Sequence, residues 1–201
     1  MNLEKTINSL KERGFTVSYF PTAAEATAYL DHSIDGKTIG VGGSVTLRDM
    51  GIYESLSKHN EFFWAWYPKD GSSMKEMHTA AATADVYLSS VNAISETGEL
   101  INIDGTGNRI ASTVYGHEKI YLVSGINKIS PDFQSALWRA RNIASPKNAQ
   151  RLHKNTPCAI KGDKCYNCKS PDRICNALTV LWAPMHGMET EVVLIGEELG
   201  F

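Results

Sequence analysis

The chain has 201 residues, of which 42% are hydrophobic and 21% are charged, so it can bury a sizeable core without disulfides. Its formal net charge of -2 excludes the strongly basic composition of a nucleic-acid-binding protein. It has no apolar run long enough to cross a bilayer, and segment 1–13 lacks the apolar centre of a signal peptide, so we expect a cytoplasmic protein.

The first half of the chain alternates helical and extended patterns. Apolar residues recur at helical spacing in segment 3–10, and Gly14 is a natural stop for that helix. Capping-box patterns, in which Thr or Ser is followed three residues later by Glu, open further helices at positions 22 and 73. In the helix that begins at position 73, the buried face is expected to consist of Met74, Met77 and Ala81. The elements predicted here are strands at 15–20, 37–41, 61–66 and 85–89, and helices at 3–10, 22–31, 44–47 and 73–81.

In the second half, Ser130 as N-cap and Pro131 as first helical residue open a helix that is expected to end at Pro146. The other predicted elements are a hairpin of strands 91–94 and 100–103, a helix at 108–115, and strands at 119–123 and 190–195. Strands that alternate with helices predict an α/β fold, layered around a mainly parallel sheet with helices on both faces. We expect one α/β domain over residues 1–201, including a cysteine-rich segment at 157–176.

Gly42, Gly43 and Ser44 directly follow the second predicted strand and precede a helical stretch. A strand, a glycine turn and a helix in this order aim backbone amides at an anion, such as a phosphate or a carboxylate. The alternative is a tight strand-to-helix turn that binds no ligand. Three basic residues further along, Lys128, Arg139 and Arg141, are predicted to lie on a solvated face.

Segment 95–109 is the main candidate for chemistry. It contains a tight turn at Glu96, a short apolar strand, and a glycine-rich loop that opens a helix. A carboxylate at the tip of a turn can act as a nucleophile or base if it is partly buried near backbone donors. The neighbouring polar residues and Arg109 could bind polar groups of a substrate. The alternative is an ordinary hairpin turn followed by an ordinary loop.

All four cysteines, Cys158, Cys165, Cys168 and Cys175, lie within 18 residues, in a segment rich in Lys, Pro and Gly. In a reducing compartment this grouping favours metal ligation over disulfides. Four thiolates can close a tetrahedral zinc site or hold an iron–sulfur cluster, and the spacing alone does not decide between them. The alternative is four reduced cysteines packed in the interior.

Several short motifs together resemble those of a known family. They are the segments 42–47 (GGSVTL), 95–98 (SETG), 104–109 (DGTGNR) and 121–128 (YLVSGINK), and the cysteine tail. With these motifs in this order, the chain resembles a LUD (lactate utilisation) domain protein over most of its length. The block 104–109 and the cysteine tail are similar to a stand-alone subgroup that is common in anaerobic bacteria.

The resemblance implies a fold similar to the NagB/RpiA/CoA-transferase-like superfamily. In CoA-transferases a Ser-Glu-Asn-Gly turn carries the glutamate that forms the acyl intermediate, and segment 95–98 resembles this turn with Thr97 in place of the asparagine. Glu96 is therefore the expected catalytic residue. The expected ligand-binding residues are Gly42, Gly43, Ser44, Thr46, Thr97, Gly98, Asn102, Asp104, Gly105, Thr106, Gly107, Asn108 and Arg109. The expected metal ligands are Cys158, Cys165, Cys168 and Cys175.

Three functions follow from the resemblance and the residues. The first is a component of lactate-type organic-acid oxidation with an iron–sulfur cluster, of the 4Fe-4S type by preference, and an iron–sulfur redox partner. The second is an enzyme that binds a CoA ester or a sugar phosphate and carries a structural zinc. The third is a non-catalytic docking module. A homo-oligomer is compatible with each, whereas neither a nucleic-acid partner nor a membrane span is expected.

Overall fold

The computed structural model of the protein describes residues 1–69 and 71–201. The helices are α1 (Leu3–Glu12), α2 (Ala23–Ser33), α3 (Val45–Asp49), α4 (Ile52–Leu56), α5 (Met74–Ala81), α6 (Asn108–Val114), α7 (Phe133–Arg139), α8 (Ser145–Arg151) and α9 (Pro157–Lys161), with a 3-10 turn at Ile126–Lys128 and a π-helical turn at Ala140–Ala144. The strands are β1 (Thr16–Phe20), β2 (Thr38–Val41), β3 (Glu61–Trp64), β4 (Val86–Ser89), β5 (Ala93–Ser95), β6 (Leu100–Asp104), β7 (Lys119–Gly125), β8 (Ile129–Ser130), β9 (Ala177–Leu181) and β10 (Glu189–Ile195).

The main sheet has six parallel strands in the order β1-β10-β7-β4-β2-β3. Its central strands carry nearly continuous apolar runs, and Val192, Val193 and Leu194 of β10 are fully buried. Such runs are typical of parallel strands that are covered on both faces. The predicted α/β fold with a mainly parallel sheet flanked by helices is confirmed.

A second, four-stranded sheet has the order β8-β5-β6-β9. It contains the predicted hairpin, since β5 and β6 pair antiparallel with Ile94 opposite Leu100. Strand β9 was not predicted, because it follows the cysteine segment, where no periodic pattern is visible. It pairs antiparallel with β6, and Asp104 lies opposite Ala177. This pairing fixes the end of the cysteine segment beside the end of β6.

Three groups of buried side chains hold the layers together. On one face of the main sheet, Leu30, Leu47 and Leu56 of α2, α3 and α4 pack with the strands. On the other face, side chains of α1 and of the β5–β6 hairpin pack against β7 and β10. The outer face of the second sheet is covered by Ala136 and Ala140. Each core side chain of Leu size contributes about 2 kcal/mol when buried, so these contacts fix the strand ends that form the site.

Both predicted capping boxes are present, at Thr22 with Glu25 and at Ser73 with Glu76. The buried face expected for α5 is only partly correct. Its first residue, Met74, is 64% exposed, because the helix begins there, ahead of the turn that packs on the sheet.

The helical region after β8 differs from the prediction at both ends. Asp132, rather than Ser130, is the N-cap of α7, and its carboxylate accepts a hydrogen bond from the Ser135 backbone N at 2.7 Å. Ser130 instead belongs to β8. Pro146 does not end the helix, because the π-helical turn leads directly into α8 and Pro146 lies in the first turn of that helix. A wider π turn accommodates the ring and the missing N–H of proline.

Candidate functional site

The candidate site lies at the carboxyl ends of β2, β3 and β4. The chain passes from β2 to its neighbour β3 and then crosses back over β2 to β4 on the opposite side. In open α/β sheets, ligands bind outside the carboxyl ends of the strands where the order reverses in this way. Loops 42–44, 65–66 and 90–92 follow these three strands and line two adjoining cavities.

The inner cavity has a volume of about 40 Å³. Its lining is mostly polar and consists of Gly43, Ser44, Val45, Thr46, Trp66, Ser90, Val91, Asn92, Arg109, Lys128, Asn148, Arg151 and Phe201. At about 10–15 Å³ for each water-sized group, it has room for roughly three such groups. Its size and polarity suit the polar end of a small ligand.

The outer cavity has a volume of about 220 Å³ and opens to solvent. It shares Gly43, Trp66, Arg109, Asn148 and Arg151 with the inner cavity. The glycine-rich loop forms one side of it through Asp104, Gly105, Thr106 and Asn108. The structure therefore brings together two segments that lie about 60 residues apart in the sequence, the loop after β2 and the loop after β6.

Gly42 makes this approach of the two segments possible. A Cβ atom at position 42 would lie 2.9 Å from the Tyr87 hydroxyl and 3.3 Å from Cγ of Arg109. Because glycine has no side chain, the Arg109 side chain can pass close to position 42 and reach the cleft. Next to it, the Ser44 hydroxyl accepts a hydrogen bond from the Leu47 backbone N at 3.2 Å and caps α3.

Lys128 is the most deeply buried cation of the cleft, with 3% of its surface exposed. Its Nζ donates hydrogen bonds to the hydroxyls of Thr46 at 2.8 Å and Ser90 at 2.9 Å. Burial, and then the charges of Arg139 and Arg109, lower the pKa of Lys128 to about 7. In the described part of the chain it forms no ion pair with a carboxylate.

Two arginines face the cleft from other elements. Arg109 donates from Nη2 to the Ile103 carbonyl at 2.6 Å and lies 3.4 Å from an Asp104 carboxylate oxygen. Arg151 lies over the ring of Trp66 at 4.8 Å and donates to the amide oxygen of Asn148. Burial lowers the pKa of Arg151, and the charge of Arg48 lowers it further.

A third arginine supports the site from behind. Arg139 is 8% exposed and donates to the carbonyls of Asn127 at 3.0 Å, Asn92 at 2.6 Å and Phe201 at 3.3 Å. Burial lowers its pKa to about 10. Asp104 is the one acidic side chain among the described residues that line the two cavities. The side chains of the cleft therefore include more cations than acids, an arrangement that suits a bound anion.

The glycine-rich loop is shaped by Asp104. One oxygen of its carboxylate accepts hydrogen bonds from the backbone N atoms of Thr106 at 3.0 Å and Gly107 at 2.9 Å. Gly107 has a φ of +90°, which favours glycine, and Asn108 begins α6. Two backbone amides of the loop are thus already hydrogen-bonded to the Asp104 side chain. Arg109 is the residue of this segment whose positively charged side chain lines both cavities.

The structure does not bring the Glu96 turn to the cleft. The Glu96 carboxylate accepts a hydrogen bond from the Asn2 backbone N at 2.6 Å and lies 3.5 Å from Nζ of Lys5. It therefore meets the amino end of α1, where a negative charge is favourable. Thr97 and Gly98 lie in the same turn, beside Arg13. Asn102 is not among the described residues that line either cavity, although its side-chain oxygen accepts a hydrogen bond at 3.1 Å from the backbone N of Asn92, which lines the inner cavity.

The four cysteines line a third cavity, which we call the cysteine cavity, of about 210 Å³. All four are free thiols and are partly buried. Cys158 lies in α9, and the other three lie in the irregular segment that follows it. Over residues 1–69 and 71–201, there is no group of three or more His, Cys, Asp or Glu side chains placed to hold a single metal ion.

Polar groups surround these sulfurs. The Asn167 backbone N donates to Sγ of Cys165 at 3.3 Å, and the Thr156 hydroxyl lies 3.3 Å from Sγ of Cys158. Arg141 extends from the π-helical turn to within 3.8 Å of Sγ of Cys165. Arg173 donates to two backbone carbonyls of the segment, while its buried Nε has no hydrogen-bond partner among the residues that the structure describes. These donors favour negative charge in the cavity.

The cysteine cavity and the outer cavity share a wall. Ile103 and Ile174 line both. The cysteine segment is bound to the glycine-rich loop, since the Asn176 backbone N donates to the Asp104 carbonyl and its side-chain amide donates to the Gly105 carbonyl, each at 2.9 Å. Gly105 approaches closely enough that a Cβ there would lie 2.9 Å from the Ile174 carbonyl oxygen. Two features that the sequence separates are therefore direct neighbours.

Sequence reasoning missed several residues of the cleft. Lys128 and Arg139 were expected on a solvated face, and this prediction is wrong, since both are buried. Ser90 and Arg151 have no local pattern that indicates a ligand. The position of a residue after a predicted strand is the signal that could have found Ser90 and Lys128. They follow the carboxyl ends of β4 and β7, at the same edge of the parallel sheet as the glycines after β2.

Comparison with known proteins identifies one family. The family model described as LUD domain matches residues 3–195. No functionally curated protein matches the chain. The crystal structure of a DUF162 family protein from Deinococcus radiodurans superposes on this chain with a TM-score of 0.54, at 12% sequence identity and with 96% of each chain covered. At this identity the similarity concerns the fold alone.

Proposed function

Because this chain belongs to the LUD domain family, which is associated with lactate utilisation, we propose that it is a component of lactate-type organic-acid oxidation. The cleft binds a small organic acid, and the four cysteines hold an iron–sulfur cluster that exchanges electrons with a redox partner. Each part of this proposal rests on a separate feature of the molecule.

The charge of the cleft supports an organic-acid ligand. Arg109, Lys128 and Arg151 line the inner cavity and face a single acid, Asp104, in the described lining. Guanidinium groups bind carboxylates through paired hydrogen bonds. The inner cavity of about 40 Å³ suits the carboxylate end of an acid of the size of lactate. Trp66 and Val91 provide apolar surface for the carbon chain.

The chemistry of the cysteine cavity fits an iron–sulfur cluster. When bound, such a cluster supplies one-electron transfer, with a potential set by nearby hydrogen bonds and charges. Cys158, Cys165, Cys168 and Cys175 would hold it, and the backbone N of Asn167 already donates to one of these sulfurs. A zinc ion needs all four sulfurs within about 2.3 Å of one centre, whereas a 4Fe-4S cluster spreads its cysteine ligands over four iron atoms. The cavity of about 210 Å³ favours the second arrangement.

The shared wall is the observation that carries the proposal. Ile103 and Ile174 line both the outer cavity and the cysteine cavity. A substrate in the cleft and a cluster on the cysteines would thus be separated by little more than one layer of apolar side chains. A protein that only binds an acid, or that only carries a metal for stability, has no need for this proximity.

A second candidate is an enzyme of the CoA-transferase-like fold that binds a CoA ester or a sugar phosphate, with a structural zinc. The outer cavity of about 220 Å³ beside the glycine-rich loop is the observation that favours it, because it has room for a larger phosphorylated ligand. In this function Glu96 is the expected catalytic group, a role that stays a prediction. The contacts of Glu96 with Asn2 and Lys5 support a capping role instead.

Anaerobic purification followed by analysis of iron, sulfide and zinc tests the cofactor, and calorimetric titration with lactate and pyruvate tests the ligand. We expect a coloured protein with about four iron and four sulfide per chain, and binding that Arg109→Ala weakens at least about tenfold while Lys37→Ala leaves it intact. Lys37 is the control cation, because it is exposed and pairs with Glu118. A colourless protein with about one zinc would contradict the redox function and support the second candidate.

A further inference from the structure

Lys128 has an environment that a simple anion-binding lysine does not need. Only 3% of its surface is exposed, and its amine lies among hydroxyls and cations. The side chains that act on Nζ are Thr46 from α3, Ser90 after β4, Arg109 from α6 and Arg139 from α7, and the backbone at Gly200 lies close to it. None of these side chains is an acid; the last residue, Phe201, lines the same cavity, and its backbone oxygen accepts a hydrogen bond from Arg139.

We propose that Lys128 is a covalent site for a 2-oxo acid, whose carbonyl carbon it binds as an imine. This inference rests on the proposed function and specifies how the cleft holds one member of its ligand class. It adds a nucleophile to a site that otherwise binds only through charge.

An amine attacks a carbonyl only in its neutral form. Enzymes obtain a neutral lysine at physiological pH by removing it from water and by placing other cations nearby. Both conditions hold here, since burial is the main cause of the lowered pKa and the two arginines add to it. At neutral pH a substantial fraction of Lys128 therefore carries a free electron pair.

The other groups of the inner cavity select the ligand. Arg109 and Arg151 line the same cavity as the amine and can hold a carboxylate. A carbonyl on the adjacent carbon would then enter the same cavity as Nζ. The small volume of the inner cavity, about 40 Å³, restricts this end of the ligand to a few heavy atoms. The chemistry therefore specifies a short 2-oxo acid such as pyruvate.

The step is a condensation that needs no oxidant. The Nζ electron pair attacks the carbonyl carbon, and the carbonyl oxygen becomes a hydroxyl as the nitrogen loses a proton. That hydroxyl then takes the second proton that the nitrogen gives up and leaves as water, while the carbon–nitrogen double bond forms. Thr46 and Ser90, whose hydroxyls accept from Nζ at 2.8 and 2.9 Å, are placed to pass these protons. The products are one imine and one water.

Reduction with borohydride converts such an imine into a stable secondary amine, so it can be located by mass spectrometry. We expect pyruvate and borohydride together to add one reduced pyruvate to the wild-type chain, on the peptide that contains Lys128. Lys128→Met and Lys128→Arg should lose the adduct. Lys37→Met should retain it, because Lys37 lies on an exposed surface and pairs with Glu118.

Peptide mapping of the wild type gives the answer even if a variant fails to fold. Pyruvate binding is measured calorimetrically on the same sample. If pyruvate binds but no adduct forms on Lys128, or if the adduct is spread over exposed lysines, the imine proposal is overturned and the organic-acid function stands. If pyruvate and lactate both fail to bind, the proposed function falls together with the imine.

Discussion

Replacing Lys128 with methionine should stabilise the folded protein. The amine is buried with only two hydroxyl partners, Thr46 and Ser90, and methionine has a similar unbranched shape without the charge. Lowering the pKa of Lys128 from its ordinary value of 10.5 to about 7 corresponds to at most about 5 kcal/mol. Relaxation and water penetration reduce such values, so we expect the unfolding free energy of Lys128→Met to exceed that of the wild type by about 1–4 kcal/mol at neutral pH.

The pH dependence of this difference identifies its cause. The amine of the unfolded chain stays protonated up to about pH 10.5, whereas the buried amine loses its proton near pH 7. Between these values the unfolded state binds one more proton, so the wild type gains about 1.4 kcal/mol of stability per pH unit from this group. The variant lacks this gain. Its advantage should therefore be largest at pH 7 and below, and should shrink steadily as the pH approaches 10.

Urea unfolding, followed by tryptophan fluorescence, measures the difference at several pH values between about 6.5 and 10. Other titrating groups cancel when the variant is compared with the wild type at each pH. Lys37→Met serves as the control, since this lysine is exposed and its replacement should change stability by less than about 0.5 kcal/mol. A stability difference that stays constant over this range, or a variant that is less stable throughout, would refute a buried lysine with a lowered pKa.

Three further predictions concern the cleft, the cysteines and the Glu96 turn. Arg109→Ala should weaken the binding of lactate and pyruvate at least about tenfold, because a charge-assisted hydrogen bond contributes about 1.5–3 kcal/mol; an unchanged dissociation constant in calorimetry would contradict this. Cys168→Ser should lower the iron and sulfide content to background after anaerobic purification, whereas Ser170→Ala in the same segment should retain both. Glu96→Ala should lower the unfolding free energy by about 1–2 kcal/mol through the lost contact with α1 and leave acid binding within about twofold; abolished turnover in a fully stable variant would instead support catalysis by Glu96.

The sequence predicted most of the main sheet, because its signals are local. Buried parallel strands appear as short apolar runs, and the helices between them begin at capping boxes such as Thr22 with Glu25. The predicted start of α7 is wrong because two equally good local signals compete there. Ser130 and Asp132 can both cap a helix, and only the pairing of β8 with β5 decides between them.

The candidate site was predictable only in part. The glycines after β2 and the loop at 104–109 have visible local signals, and Gly43 and most residues of that loop line the two adjoining cavities. Lys128 has no such signal, because burial of its amine depends on contacts with Thr46 and Ser90, far away in the sequence. Conversely, the Glu96 turn has a strong local pattern, but the packing of α1 determines where its carboxylate points.

The shared wall between the cleft and the cysteine cavity can be tested most directly by electron paramagnetic resonance of the anaerobically purified, reduced protein, with and without lactate or pyruvate. If Ile103 and Ile174 separate a bound acid from an iron–sulfur cluster, the acid should change the cluster signal in the wild type and in Lys37→Ala but not in Arg109→Ala. A cluster signal that is identical with and without an acid that binds, or a protein without any cluster signal, would contradict this account.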